Sequence, residues 1–239
     1  MLADQQRARI FGALYLITFV TSIPAVLLFQ PVLDSPVRYI SGAGENNRIV
    51  FGVLLELLLI IANIGTAVVI YPIVRRQNEA LALGYVTARI VECAFILVGI
   101  VAVLGIVTLQ MEVAGAAEGT VAHTLAAIKD WTFVLGPGWV VGWGNGLILG
   151  YLMYRSGLVP RALAWLGLVG GPLVIISGTL VLFDVADQGG TLQGIATIPE
   201  FVWELSLGIY CSVKGFRPSS PILRRAAGPG TATPGAAPA

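Results

Sequence analysis

The sequence predicts an all-α integral membrane protein, a bundle of six transmembrane helices with both termini in the cytoplasm, and three observations carry that reading. Of the 239 residues, 56% are hydrophobic and only 11% charged, and the mean hydropathy is +0.86, whereas soluble domains carry about 25% charged residues. Six apolar stretches cross the chain. Most Lys and Arg between them gather in alternate connections. Six helices of about 20 residues with short loops use nearly all of this length, so no soluble catalytic domain fits. Any chemistry would take place in or at the lipid bilayer, the expected partner. A formal charge of +1 and the lack of an aromatic-laced basic run exclude nucleic acid as a partner.

The first stretch, residues 10–29, follows Arg7 and Arg9; its long apolar run, with no small-x-small site after it, reads as a retained span rather than a cleaved signal peptide. The second, 49–74, carries Glu56 and Asn63 and ends at Arg75 and Arg76. The third, 81–109, carries Arg89 and Glu92. The fourth, 131–154, opens at the aromatic-belt residue Trp131 with Asp130 as its N-cap, and ends at Arg155. The fifth, 163–183, follows Arg161. The sixth, 199–213, is short if it starts at Pro199, where Thr197 and Glu200 have the spacing of a capping box. An approach from Leu192 supplies the missing length.

Lys214, Arg217, Arg224 and Arg225 follow the sixth span and fall on the same side as the other basic pairs. The opposite connections hold Arg38, Arg48 and Lys129, with the acidic Asp34, Glu45, Glu112, Glu118, Asp184 and Asp187. By the positive-inside rule the basic side is cytoplasmic. Residues 1–216 read as one transmembrane domain. Residues 217–239, rich in Pro, Ala and Gly, read as a disordered cytoplasmic tail.

The ionisable residues inside the spans are the informative ones. A charge at a helix centre costs about 2.5 to 3.5 kcal/mol on insertion scales, so such residues turn inward and pair or meet water. Arg89 and Glu92, three apart, share a helix face, as do Glu56 and Asn63, seven apart, and Glu204 joins from the sixth span. Depths counted at about 1.5 Å per residue bring Arg89, Glu92, Asn63 and Glu204 to one level. The expectation is a ligand-binding cluster in which Glu92 and Glu204 hold Arg89, while Glu56 and Asn63 line the outer approach. Buried ion pairs can also do no more than lock helices together. Three carboxylates against one guanidinium are unbalanced, however, so either one carboxyl carries a proton or the site admits a cation.

Glycines 138, 142, 146 and 150 recur every four residues in the fourth span, a stripe that admits close helix approach; Gly167 and Gly171 in the fifth offer a partner face. The triplets Gly136-Pro137-Gly138 and Gly170-Gly171-Pro172 can interrupt the backbone ladder. A weak 3+3 inverted repeat is suggested at a shift of about 113, which lays Pro24 on Pro137 and Gly65-Thr66 on Gly178-Thr179.

Catalytic material is scarce. His123 is the only histidine, and Cys93 and Cys211 lie in spans without C-x-x-C spacing, so no catalytic residue, metal site or cofactor is expected.

The segments RRQNEALALGYVTARIVE (75–92), DWTFVLGPG (130–138), YLMYRSGLVPRALAWLGLVGGPL (151–173) and PEFVWELSLGIYCSVKGFRPS (199–219) resemble the bacterial membrane family called domain of unknown function 4386. The resemblance covers all but the tail and implies a multi-pass protein of the bacterial cytoplasmic (inner) membrane, with no activity, substrate or cofactor attached. Three readings follow: binding or transport of a small solute or cation through the polar interior; an accessory or sensory subunit whose glycine stripe packs a membrane-protein partner or a second copy; and an intramembrane enzyme acting on a lipid-like substrate.

Overall fold

Each long apolar stretch becomes a helix that packs on its neighbours in sequence, and the last returns to the first. The computed structural model describes residues 2–43, 45–111 and 116–226, and no strand occurs among them. The six long helices are α1 (Leu2–Asp34), α2 (Asn46–Val74), α3 (Glu79–Met111), α4 (Ala116–Phe133, continuing without a break to Ser156), α5 (Arg161–Leu182) and α6 (Thr191–Lys214). Contacts run α1 to α2, α2 to α3, α3 to α4, α4 to α5, α5 to α6 and α6 back to α1, so the bundle is a closed ring around an axial space. Gly12 makes the closing contact: a Cβ there would collide with the Gly208 and Ser212 backbone of α6.

Five of these segments, Leu2–Asp34, Asn46–Val74, Glu79–Met111, Glu118–Ser156 and Arg161–Leu182, are long and apolar enough to cross a membrane. The sixth helix forms but is not among them, because Glu200, Glu204 and its polar first turns dilute its apolar character. It also starts earlier than Pro199. Thr197 and Glu200 therefore make no capping box; the Thr197 hydroxyl donates to the Gln193 carbonyl one turn back at 2.8 Å.

The fourth helix departs furthest from the sequence reading. It begins at Ala116, so Asp130 lies within it rather than capping it, and Lys129 is a buried helix residue rather than part of a loop. Beyond Phe133 it widens into π-helical turns, Val134–Val140 and Gly142–Leu149, then regains α geometry over Gly150–Ser156. Pro137 has no N–H to donate, and a π turn accommodates the missing bond. The second triplet interrupts nothing, since α5 runs straight through Pro172.

The glycine stripe is used within the chain. A Cβ on Gly142 would sit 2.7 Å from the Gly171 carbonyl, one on Gly146 would collide with the Gly171 backbone, and one on Gly150 would lie 3.2 Å from Leu168 N. These three glycines let α4 and α5 touch backbone to backbone.

Two apolar cores fill the ring at different heights. At the end holding the start of α1 and the end of α6, Phe11, Tyr15, Ile70, Tyr85, Leu152, Ala164, Trp203 and Leu207 pack together from all six helices. At the opposite end, Phe29, Ile49, Val53, Ile96, Val103 and Ala126 form a core that takes nothing from α5 or α6. Polar side chains, among them Asn63, Arg89 and Glu92, are buried with them.

Part of the expected tail is folded. Arg217 N–H donates to the Leu158 carbonyl at 2.8 Å, the Ser220 hydroxyl donates to the Ser156 carbonyl at 2.7 Å, and the short helix α7 (Pro221–Ala226) buries Ile222 and Leu223 in the core at that end. Asp4 accepts two hydrogen bonds from Arg76, both 3.0 Å, beside it. Glu112 and residues 227–239 lie outside the described residues.

Candidate functional site

All five residues singled out from the sequence, Arg89, Glu92, Glu204, Glu56 and Asn63, line one cavity of about 310 Å³ inside the ring. Its remaining wall is apolar or weakly polar, with Thr18, Ser22 and Ile23 from α1 and Phe133, Pro137 and Val141 from α4. The convergence follows from helix geometry. Residues at spacings of three, four and seven share a face, and the buried faces of α2 and α3 carry these polar residues between apolar ones such as Val53, Leu59 and Ile96.

Arg89 and Glu92 pair along α3 at 2.6 Å, fully inside the protein. Glu92 also accepts from the Asn63 amide of α2 at 3.0 Å. The Arg89 Nε–H reaches the Thr66 hydroxyl at 3.4 Å, and Thr66 continues through the Tyr85 hydroxyl at 3.4 Å to the Tyr15 hydroxyl at 3.1 Å, with the guanidinium 5.4 Å from the Tyr15 ring centroid. One guanidinium is thus held by a carboxylate, a hydroxyl and an aromatic face.

Glu204 lines the cavity but does not join that ion pair, contrary to the arrangement expected from depth alone. Its Oε1 accepts from the Asn145 amide of α4. Asn63 is likewise a direct partner of Glu92 and not part of an outer approach. Glu56 is paired with Lys129, whose Nζ donates to its Oε1 at 2.5 Å and sits 4.9 Å from the Phe29 ring centroid. Glu56 also borders a second cavity of about 340 Å³ with Lys129, Asp130 and Gln188, nearer the far end.

Lys129, Asn145 and Glu200 are the interior residues that the sequence reading missed. Lys129 was legible in the spacing of Ala122, Ala126 and Lys129, which marks one buried helix face. Asn145, flanked by glycines in an apolar run, is a polar side chain that hydrocarbon disfavours. Glu200 is turned inward by Trp203: that indole is fully buried, donates to the Asn145 carbonyl at 3.0 Å and fills the space left by Gly167. Its neighbours on the same face are then Glu200 and Glu204. Neither oxygen of Glu200 has a hydrogen-bond partner among the described residues.

Four interior carboxyls face two interior cations; Arg89 neutralises Glu92 and Lys129 neutralises Glu56. Glu200 and Glu204, both on α6, form no ion pair among the described residues, although the Arg89 charge is felt at both. No group of three or more His, Cys, Asp or Glu side chains suited to a metal ion occurs among the described residues.

The family model described as Domain of unknown function (DUF4386) matches residues 10–215. No curated protein and no solved structure matches the chain.

Proposed function

The chain belongs to the DUF4386 family, and with that as premise we propose that it binds a small solute or cation in the central cavity, as a carrier or binding protein of the bacterial cytoplasmic membrane. The observation that carries this reading is the meeting of Arg89, Glu92, Asn63, Glu56 and Glu204 on one cavity. A helix lock would close around a dry, paired cluster; here space remains, and Glu204 faces it outside both ion pairs.

In this reading the chain crosses the membrane six times, with both termini cytoplasmic. The end bearing the termini has Arg7, Arg9, Arg75, Arg76, Arg155, Arg161 and Lys214, against Arg38 and Arg48 at the other. Helix α6 serves as the sixth span despite its two glutamates. At 24 residues it is about 36 Å long, and its exposed side chains between the first turns and Lys214 are mostly apolar, among them Ile195, Ile198, Phe201, Ile209 and Val213. Acidic within and apolar without is the pattern of a helix between lipid and a polar interior. The partner-docking alternative is less favoured, because Gly142, Gly146 and Gly150 are already packed on α5.

The test is purification of the full chain in native lipid, mass spectrometry of the small molecules retained, and the same measurement on Glu204→Gln. That variant alters a cavity-facing carboxyl and leaves both ion pairs intact. The expected result is a retained solute that the variant loses. Retention of lipid alone, or equal retention by both proteins, overturns the reading.

A further inference from the structure

A third cavity, of about 340 Å³, lies between the π-helical part of α4, α5 and α6, and shares Phe133, Pro137, Val141 and Glu204 with the central one. Glu200 lines it. That residue is 3% exposed, and both of its carboxyl oxygens lack a hydrogen-bond partner among the described residues, a state that buried polar groups rarely keep without cause. The carboxyl has room because Gly146 and Gly170 lack side chains; a Cβ on either would come within 2.9 Å of Oε2.

The rest of the lining sets the chemistry of an occupant. Among the described residues no Lys, Arg or His borders this cavity. The Ser177 and Thr197 hydroxyls spend their protons on the Val174 and Gln193 carbonyls, so what they present inward is acceptor oxygen; the Gln193 amide, whose Oε1 accepts from Gly189 N–H, adds neutral N–H groups to the lining. Glu204, one turn from Glu200, adds a second carboxyl, which can accept from another donor beside Asn145. The remaining wall includes Phe133, Val141, Val174 and Phe201. An anion is disfavoured by charge, and no third acidic, His or Cys group joins the pair among the described residues to complete a metal site built from such side chains alone. A bare alkali ion would leave most of the volume empty. A primary ammonium group supplies three N–H donors for carboxyl oxygens, and a hydrocarbon body on it fills the apolar wall, with the aromatic faces favouring the cation.

We propose that Glu200, with Glu204 one turn away, recognises the primary ammonium group of a small amine whose apolar part rests against Phe133, Val141, Val174 and Phe201. The site goes beyond the function proposed above, because Glu200 does not line the central cavity.

The experiment measures saturable binding of radiolabelled cyclohexylammonium to the full chain in lipid nanodiscs, with competition by tetramethylammonium, sodium and cyclohexanecarboxylate. Binding should saturate. Tetramethylammonium, which has the charge but no N–H, should compete about tenfold less well than unlabelled cyclohexylammonium, and Glu200→Gln should weaken binding about tenfold or more, the worth of a charge-assisted hydrogen bond. Glu200→Asp, which keeps the charge and withdraws it by one methylene, should fall between. Absence of saturable binding, or equal affinity in wild type and in whichever of the two variants folds, overturns the proposal. Solute retention is also read on Glu200→Gln, whose changed residue does not line the central cavity: a solute that this variant keeps and Glu204→Gln loses belongs to the central cavity, so loss of this inference leaves the earlier reading to stand or fall by itself.

Discussion

Lys129 reaches from α4 to α2 and places its Nζ 2.5 Å from Oε1 of Glu56, with both side chains buried. This contact changes the meaning of every other charge in the ring. With Arg89 paired to Glu92, it completes the ion pairing of two carboxyls and leaves the α6 pair, Glu200 and Glu204, without an ion pair among the described residues.

Breaking this pair on one side strands a buried charge. Lys129→Met should lower unfolding stability by about 3 to 5 kcal/mol, and the double variant Lys129→Met, Glu56→Leu should recover most of that loss. Thermal unfolding of the purified proteins in detergent checks both. Equal losses in the single and double variants would mean that Glu56 does not depend on Lys129.

The glycine stripe is not uniform in its demands. Gly146→Ala drives a methyl group into the Gly171 backbone, whereas the nearest atom to a Cβ on Gly138 is the Phe133 carbonyl oxygen at 3.4 Å. Backbone cannot yield as a side chain can, so Gly146→Ala should cost about 1 to 3 kcal/mol and Gly138→Ala should have little effect. Chemical or thermal unfolding of the two variants side by side gives the comparison.

The segment after α6 contributes to the fold. Ile222 and Leu223 belong to the core at the terminal end, and Ser220 is bonded to Ser156. A chain ending at Gly215 should be less stable than one ending at Ala226, and Leu223→Ala alone should cost about 2 to 5 kcal/mol. Protease susceptibility and melting temperature of the two truncations read this directly.

Most of the architecture was legible because hydrocarbon leaves few options: apolar runs of this length become helices, and costly charges turn inward. That cost alone singled out Arg89, Glu92, Asn63, Glu56 and Glu204, which line one cavity. Their pairing was not legible, because depth along an axis says nothing of rotation about it. Glu204 stands at the right level, but the buried Trp203 beside it turns it toward Asn145. Lys129 was missed for a different reason. The polar residues before Trp131 look like a loop, and only the spacing of Ala122, Ala126 and Lys129 betrays the helix that carries the ammonium group inside. Composition also hid the folded start of the tail, where two apolar residues and two hydrogen bonds suffice to dock a short helix.

The central claim, that the interior charges surround a water-filled cavity and not a dry lock, is tested most directly by thiol reactivity. Thiols react as thiolates, a form that requires water, so Ser22→Cys, at the cavity wall, is compared with Val20→Cys, on the exposed apolar side of the same helix. Both are made in a chain with Cys93 and Cys211 replaced by Ala. The account predicts that a small cationic methanethiosulfonate modifies the cysteine at position 22 rapidly, and faster than its anionic counterpart does, while the cysteine at 20 stays unmodified. Equal inertness at both positions would contradict it.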